Sequence, residues 1–111
     1  MGHLHLSVEA SGTTSYLRLS GAFDLAGVGR VENALDRVFQ VPSTKRIVFD
    51  LCRLGFLDAA GLRTILRADQ RARDAAVELI VVRPRGWANR VFTLTRAGAQ
   101  LSMVDDPAVT A

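Results

Sequence analysis

The apolar positions of this chain change period several times, and each change marks an element. Leu4, Leu6 and Val8 alternate with His5, Ser7 and Glu9, the period of a half-buried strand. Ser11-Gly12-Thr13-Thr14-Ser15 is turn material, and Tyr16 to Asp24 reads as the second strand of a hairpin. From Val28 the spacing becomes helical. Val28, Val31, Leu35, Val38 and Phe39 share one face, while Arg30, Glu32, Asn33, Asp36 and Arg37 lie elsewhere. Pro42 and Ser43 close that helix.

Ile47-Val48-Phe49-Asp50-Leu51 is apolar except for Asp50, the pattern of a central strand buried on both faces. Ala59 to Arg73 predicts a second helix with Leu62, Ile65, Leu66 and Ala72 as its apolar face, interrupted by Asp69. Val77 to Val82 is another strand, broken by Pro84, Arg85 and Gly86. Trp87 to Arg96 predicts a third helix with Val91, Phe92 and Leu94 apolar, ending near Gly98. Trp87 is expected to anchor that helix on the core or to flank the loop before it, with contact to a partner as a further alternative. Leu101 to Val104 is a last short strand. The order strand, strand, helix, strand, helix, strand, helix, strand predicts an α/β domain. Its central sheet is mixed and mainly parallel, with an N-terminal hairpin and helices packed on it.

Composition agrees with a folded domain. The 111 residues suit one domain, residues 1–111, with a core from about 4 to 104, and 49% hydrophobic against 23% charged is a globular balance. No apolar run approaches the ~20 residues of a membrane helix, so no membrane insertion is expected. Nothing early in the chain resembles a signal peptide. The Met1-Gly2-His3 start lacks Ser or Thr at position 6, where myristoylation requires it. A cytoplasmic protein is expected. The single Cys52 has no internal disulfide partner, which fits a reducing compartment. It reads as a small, partly buried hydrophobe rather than a redox switch.

The net charge of +3 is unevenly spread. Residues 1–52 balance five basic against five acidic side chains, whereas residues 53–96 carry nine arginines against four acids. The second half is therefore electropositive. Arg63, Arg67 and Arg71 recur every four residues and form one ridge along the second helix. Such a ridge either is a solvated face or steers an acidic partner. Nucleic acid is not expected, because no stacking aromatics interleave with the arginines.

No catalytic constellation is visible. There is no Ser/His/Asp arrangement, no metal-ligand set and no Walker loop, and Gly27-x-Gly29 lacks the third glycine of a dinucleotide loop. His3 and His5 share one strand face without further ligands. The chain is expected not to be an enzyme and to need no cofactor.

One constellation does carry a specific reading. A short apolar strand ends in Asp50-Leu51, and Asp58-Ala59-Ala60-Gly61-Leu62 comes next at a helix start. Asp58 is a suitable N-cap, Gly61 permits a close approach at the turn, and Leu62 reads as core. This pattern resembles the signature of the STAS domain, the fold of bacterial anti-sigma factor antagonists, whose motif reads Asp-Ser-Ser-Gly-Leu or Asp-Ser-Ala-Gly-Leu. Gly21-Ala22-Phe23-Asp24 is similar to the family pattern that places an acidic residue, here Asp24, near the same loop. The resemblance spans Leu4 to about Val104.

In the family the first small residue after the Asp is the phosphorylated Ser or Thr; here it is Ala59, which has no hydroxyl. Thr64 is the nearest hydroxyl and does not match the motif position. The resemblance implies a binding surface formed by Asp24, Asp58, Ala59, Ala60, Gly61, Leu62, Arg63 and Arg67. The implied partner is an anti-sigma factor or GHKL-type serine kinase, whose capture releases a sigma factor. It also implies two alternatives: a STAS subunit of an ABC-type or anion transport assembly and, more weakly, a nucleotide-binding protein.

Overall fold

Five strands form one sheet in the order of the chain, and that order decides where everything else goes. In the computed structural model, which describes residues 3–106, the elements are β1 (Leu4–Ser11), β2 (Thr14–Phe23), α1 (Val28–Gln40), β3 (Arg46–Leu57), α2 (Ala59–Asp74), β4 (Glu78–Val82), α3 (Trp87–Leu94), α4 (Ala97–Gln100) and β5 (Ser102–Val104). A single 3-10 turn, Leu25–Gly27, joins β2 to α1. The sheet order is β1-β2-β3-β4-β5, with β1 antiparallel to β2 and every other pairing parallel. This is the mixed, mainly parallel α/β architecture expected from the sequence. Met1 and Gly2, considered for acylation, lie outside the described residues.

The register lines up the core. Leu17, Phe49 and Val81 form one row across the three central strands, continued by half-buried Met103 on β5 and by Val8 on β1, which is exposed rather than on the buried face that its alternation predicts. Leu17, Phe49 and Val81 are fully buried and join Ile47, Leu51, Val31, Leu35, Ile65 and Phe92 in one apolar cluster. The parallel pairing of β2, β3 and β4 requires crossovers, and α1 and α2 supply two of them. Unreversed strand order returns successive right-handed crossovers over the same face, so α1 and α2 lie side by side. Arg71 of α2 reaches Asp36 of α1 at 2.6 Å and stacks over the Phe39 ring at 4.4 Å.

Several boundaries differ from the sequence reading. The hairpin turn narrows to Gly12 and Thr13, because Gly12 adopts a left-handed φ of +61°. β3 does not stop at Leu51 but runs to Leu57. Two register shifts against β2, between Arg18 and Ser20 and between Gly21 and Ala22, put extra residues on the β3 side. Each bulge flips the alternation, so the core positions Leu51, Leu54 and Leu57 fall three apart instead of two. A period of two therefore fades where the strand continues. Cys52 accordingly lies inside β3, half-buried.

The third helix is also shorter than expected. It ends at Leu94, Arg96 takes a left-handed φ of 60°, and Gly98 sits within α4 rather than terminating a helix. Trp87 does not anchor α3. It is 65% exposed, as is Leu94 at 71%, and the buried contacts of the helix come from Ala88 and Phe92.

Asp50 is the one buried acid among the described residues of the sheet, 8% exposed. Its Oδ1 accepts the Cys52 amide at 3.1 Å, and Arg18 Nε approaches Oδ2 at 3.8 Å, so the charge is not left unsatisfied. Burial and the bond to Asp50 push the Cys52 thiol above its ordinary range, against the pull of Arg53 and Arg85. A raised thiol is a poor nucleophile at neutral pH, which argues for packing over redox chemistry.

Candidate docking surface at the strand ends

β2 and β3 are parallel and in register at their ends, with Phe23 opposite Leu57. The next residues, Asp24 and Asp58, therefore leave the sheet side by side at its C-terminal edge, where open α/β sheets place their sites. Both residues have extended backbones, and each caps the helical turn that begins beside it. Asp24 Oδ1 accepts the Ala26 amide at 3.1 Å at the head of the 3-10 turn. Asp58 Oδ1 accepts the Gly61 amide at 2.9 Å at the head of α2. The Asp58 amide in turn donates to the Phe23 carbonyl at 3.3 Å, which ties the two loops together.

Gly61 is the closest point of that junction. A Cβ there would lie 2.6 Å from the Phe23 carbonyl oxygen, 2.7 Å from Leu57 Cδ1 and 3.1 Å from Phe23 Cγ. The glycine is thus required for the approach of α2 to the end of β2. Leu62 is buried and faces the core, Ala60 is half-buried, and Ala59 is exposed. Thr64 is 3% exposed and its hydroxyl donates to the Ala60 carbonyl at 2.9 Å. The nearest hydroxyl is therefore closed to a modifying enzyme.

Asp24, Asp58 and Ala59 to Leu62 are brought together at this edge. The arginine ridge is divided. Arg71 is committed to Asp36, and Arg67 lies 3.9 Å from Glu32 of α1, so the lower part of the ridge is a seam between helices. Arg63 is exposed beside the loop and makes no ion pair among the described residues.

One residue of this surface has no signal in the sequence. Leu25 is 73% exposed on the 3-10 turn between Asp24 and α1, next to the start of α2. It sits outside both the strand and the helix period, and nothing marks a lone leucine as surface until the turn is seen. Together the edge presents an exposed leucine, an exposed alanine, two acidic caps and Arg63. Among the described residues no group of three or more His, Cys, Asp and Glu is placed to hold a metal.

The Asp58 carboxylate is expected to stabilise the first turn of α2. Asp58→Ala should cost about 1 kcal/mol in a urea unfolding curve, the ordinary value of an N-cap. An unchanged midpoint would show that the cap bond contributes nothing there.

A sheet with one antiparallel edge strand, three crossovers and paired capping loops at the parallel strand ends defines a class: the chain has a SpoIIAA-like α/β fold. It belongs to the STAS domain family, since the family described as "Mlab, STAS domain" matches residues 6–105. An anti-sigma factor antagonist from Mycobacterium paratuberculosis superposes with a TM-score of 0.84 at 23% identity, covering 96% of this chain and 89% of that one. SpoIIAA in its unphosphorylated form gives 0.74 at 18%, covering 97% and 93%. The phosphorylated form of the Bacillus cell fate determinant SpoIIAA gives 0.74 at 19%, covering 96% of each. At these identities the likeness establishes the fold.

Proposed function

We propose that this chain is a non-enzymatic regulatory binding module of the anti-sigma factor antagonist kind. It engages an anti-sigma factor or a GHKL-type serine kinase with the edge formed by Asp24, Leu25, Asp58, Ala59, Ala60 and Arg63, and so frees a sigma factor. Gly61 and Leu62 fix that edge from below, and Arg67 lies at its border, 3.9 Å from Glu32 of α1. The observation that carries the reading is the exposed Ala59 at the first position of α2, directly after the Asp58 cap and tied to the end of β2 by the Asp58 amide. A small apolar side chain there resembles the unphosphorylated state of a switch position, without the hydroxyl that would accept a phosphoryl group.

A phosphate at this place would put roughly two negative charges at a helix N-terminus and beside the Asp24 and Asp58 carboxylates. Ala59 removes that input while leaving the contact surface intact. Binding through this edge is therefore constitutive, and control lies in abundance or in another input. Exposed apolar side chains bordered by charged ones also match the composition of protein contacts, in which apolar anchors sit within a polar rim.

The test is an affinity pull-down from the native host with wild type and Ala59→Glu, whose exposed position tolerates the change without unfolding. Wild type is expected to retain an anti-sigma factor or serine kinase, and Ala59→Glu to lose at least tenfold in affinity, the ~1.4 kcal/mol of one unfavourable charge at a contact. Recovery of ABC or anion transporter subunits would replace this partner with the transport assembly. Equal capture by both proteins would move the contact away from Ala59.

A further inference from the structure

Trp87 and Leu94 are large apolar side chains left in solvent, and they are not scattered. They are seven residues apart on α3, hence on one face, with Arg90 between them and its guanidinium 5.2 Å from the Trp87 ring centre. The opposite face holds Ala88 and Phe92 in the core, so this face has no partner within the domain. Arginine outnumbers acid around it. Residues 79–106 contain Arg83, Arg85, Arg90 and Arg96 against Asp105 and Asp106. Arg83 is spent on Asp105 at 3.1 Å and on Asn89 at 3.2 Å. Arg85, Arg90 and Arg96 are exposed and make no ion pair among the described residues.

We propose that the Trp87–Arg90–Leu94 face of α3 docks this chain peripherally on an anionic membrane surface. An indole is amphipathic and settles at the headgroup level, with its ring against acyl carbon and its N–H toward water. Leu94 adds a second apolar contact at the same depth. Arg85, Arg90 and Arg96 supply charge that anionic headgroups attract without requiring a fixed geometry. The arrangement is that of a short interfacial helix lying in the plane of the surface, with polar groups and arginines flanking the apolar stripe. No helix among the described residues is long and apolar enough to cross a membrane, so the contact is one of surface.

The alternatives fit the patch less well. A stable protein contact buries ~800 Å² on each partner. Here the apolar area is that of two side chains on a helix of 8 residues. A nucleic-acid surface requires base-stacking aromatics or a groove-reading element, and Trp87 is the only exposed large aromatic side chain among the described residues. The proposal is independent of the Ala59 edge and stands if that edge binds nothing.

Trp87 is the only tryptophan, so its emission reports this face alone. Full-length protein is titrated with vesicles of pure phosphatidylcholine and with vesicles doped with phosphatidylglycerol, reading emission and co-sedimentation. The anionic vesicles are expected to shift Trp87 emission to shorter wavelength and to pellet the protein, with the effect reversed by high salt. Arg85→Ala and Arg90→Ala should each weaken vesicle binding roughly fivefold. Leu94→Ser should reduce pelleting further while circular dichroism stays that of wild type. No shift with anionic vesicles, or equal binding to neutral ones, would overturn the proposal. So would a shift produced only by a DNA oligonucleotide or by poly-glutamate, which would assign the face to nucleic acid or to an acidic protein.

Discussion

Gly61→Val is expected to destabilise the domain by about 3 kcal/mol and to abolish binding through the Ala59 edge. Two effects compete at this position. Valine is slightly better than glycine in a helix, by a few tenths of a kcal/mol. Against that, its Cβ would stand 2.6 Å from the Phe23 carbonyl oxygen and 2.7 Å from Leu57 Cδ1. Leu57 can rotate its terminal methyl, but the Phe23 carbonyl is backbone and already accepts the Asp58 amide. Relief therefore requires α2 to lift away from the end of β2, and overpacking of this kind costs about 1–3 kcal/mol, more when backbone must move. The γ-methyls of valine add to a contact that alanine would already strain. A urea midpoint within about 0.5 kcal/mol of wild type would refute the close-approach role of the glycine. The binding loss is read in the same pull-down as Ala59→Glu, at a temperature where both variants are folded.

Phe23→Ala is the second large effect, expected at about 3–5 kcal/mol of lost stability. Phe23 is fully buried at the last position of β2 and packs under the junction of the two capping loops. A domain of this size has about 5–15 kcal/mol in total, so the variant is near the limit of folding. Phe49→Ala is the matched comparison, because Phe49 is equally buried but sits mid-strand in β3. Both should lose similar stability. Only Phe23→Ala should loosen the edge, read as faster hydrogen exchange at the amides of Asp58 and Gly61 than in Phe49→Ala at low temperature. Equal exchange at those amides would mean that Phe23 supports the core and not the loops.

The fold was largely legible because its signals are local. Helical spacing from Val28 and from Ala59, the apolar run at Ile47 and the hairpin alternation of Leu4 to Val8 each arise within a few residues. The Asp58-to-Leu62 motif was legible for the same reason, since a cap, a close-approach glycine and a core leucine occur within five successive positions. The second half of β3 was not, because two bulges shift the core positions to Leu54 and Leu57 and hide the period. The size of the usable arginine ridge was hidden as well. Arg67 and Arg71 look the same as Arg63 along α2, and only the neighbouring α1 shows that Glu32 and Asp36 face two of them.

Trp87 and Leu94 mark the same boundary. An aromatic and a leucine at helical spacing read as core, yet α3 is anchored by the smaller Ala88 and by Phe92, and the larger pair points to solvent. Leu25 is exposed because the 3-10 turn rotates it outward. By itself the sequence determined the presence and order of the five strands and the three longer helices, and the absence of a hydroxyl at residue 59, since each depends on residue type and near neighbours. Only the tertiary structure decided which face of α3 is buried, which arginines are already paired, and that Asp24 and Asp58 stand side by side. Parallel pairing of β2 with β3 and the packing of helix on helix bring these about, through contacts between residues more than thirty positions apart that no local pattern encodes.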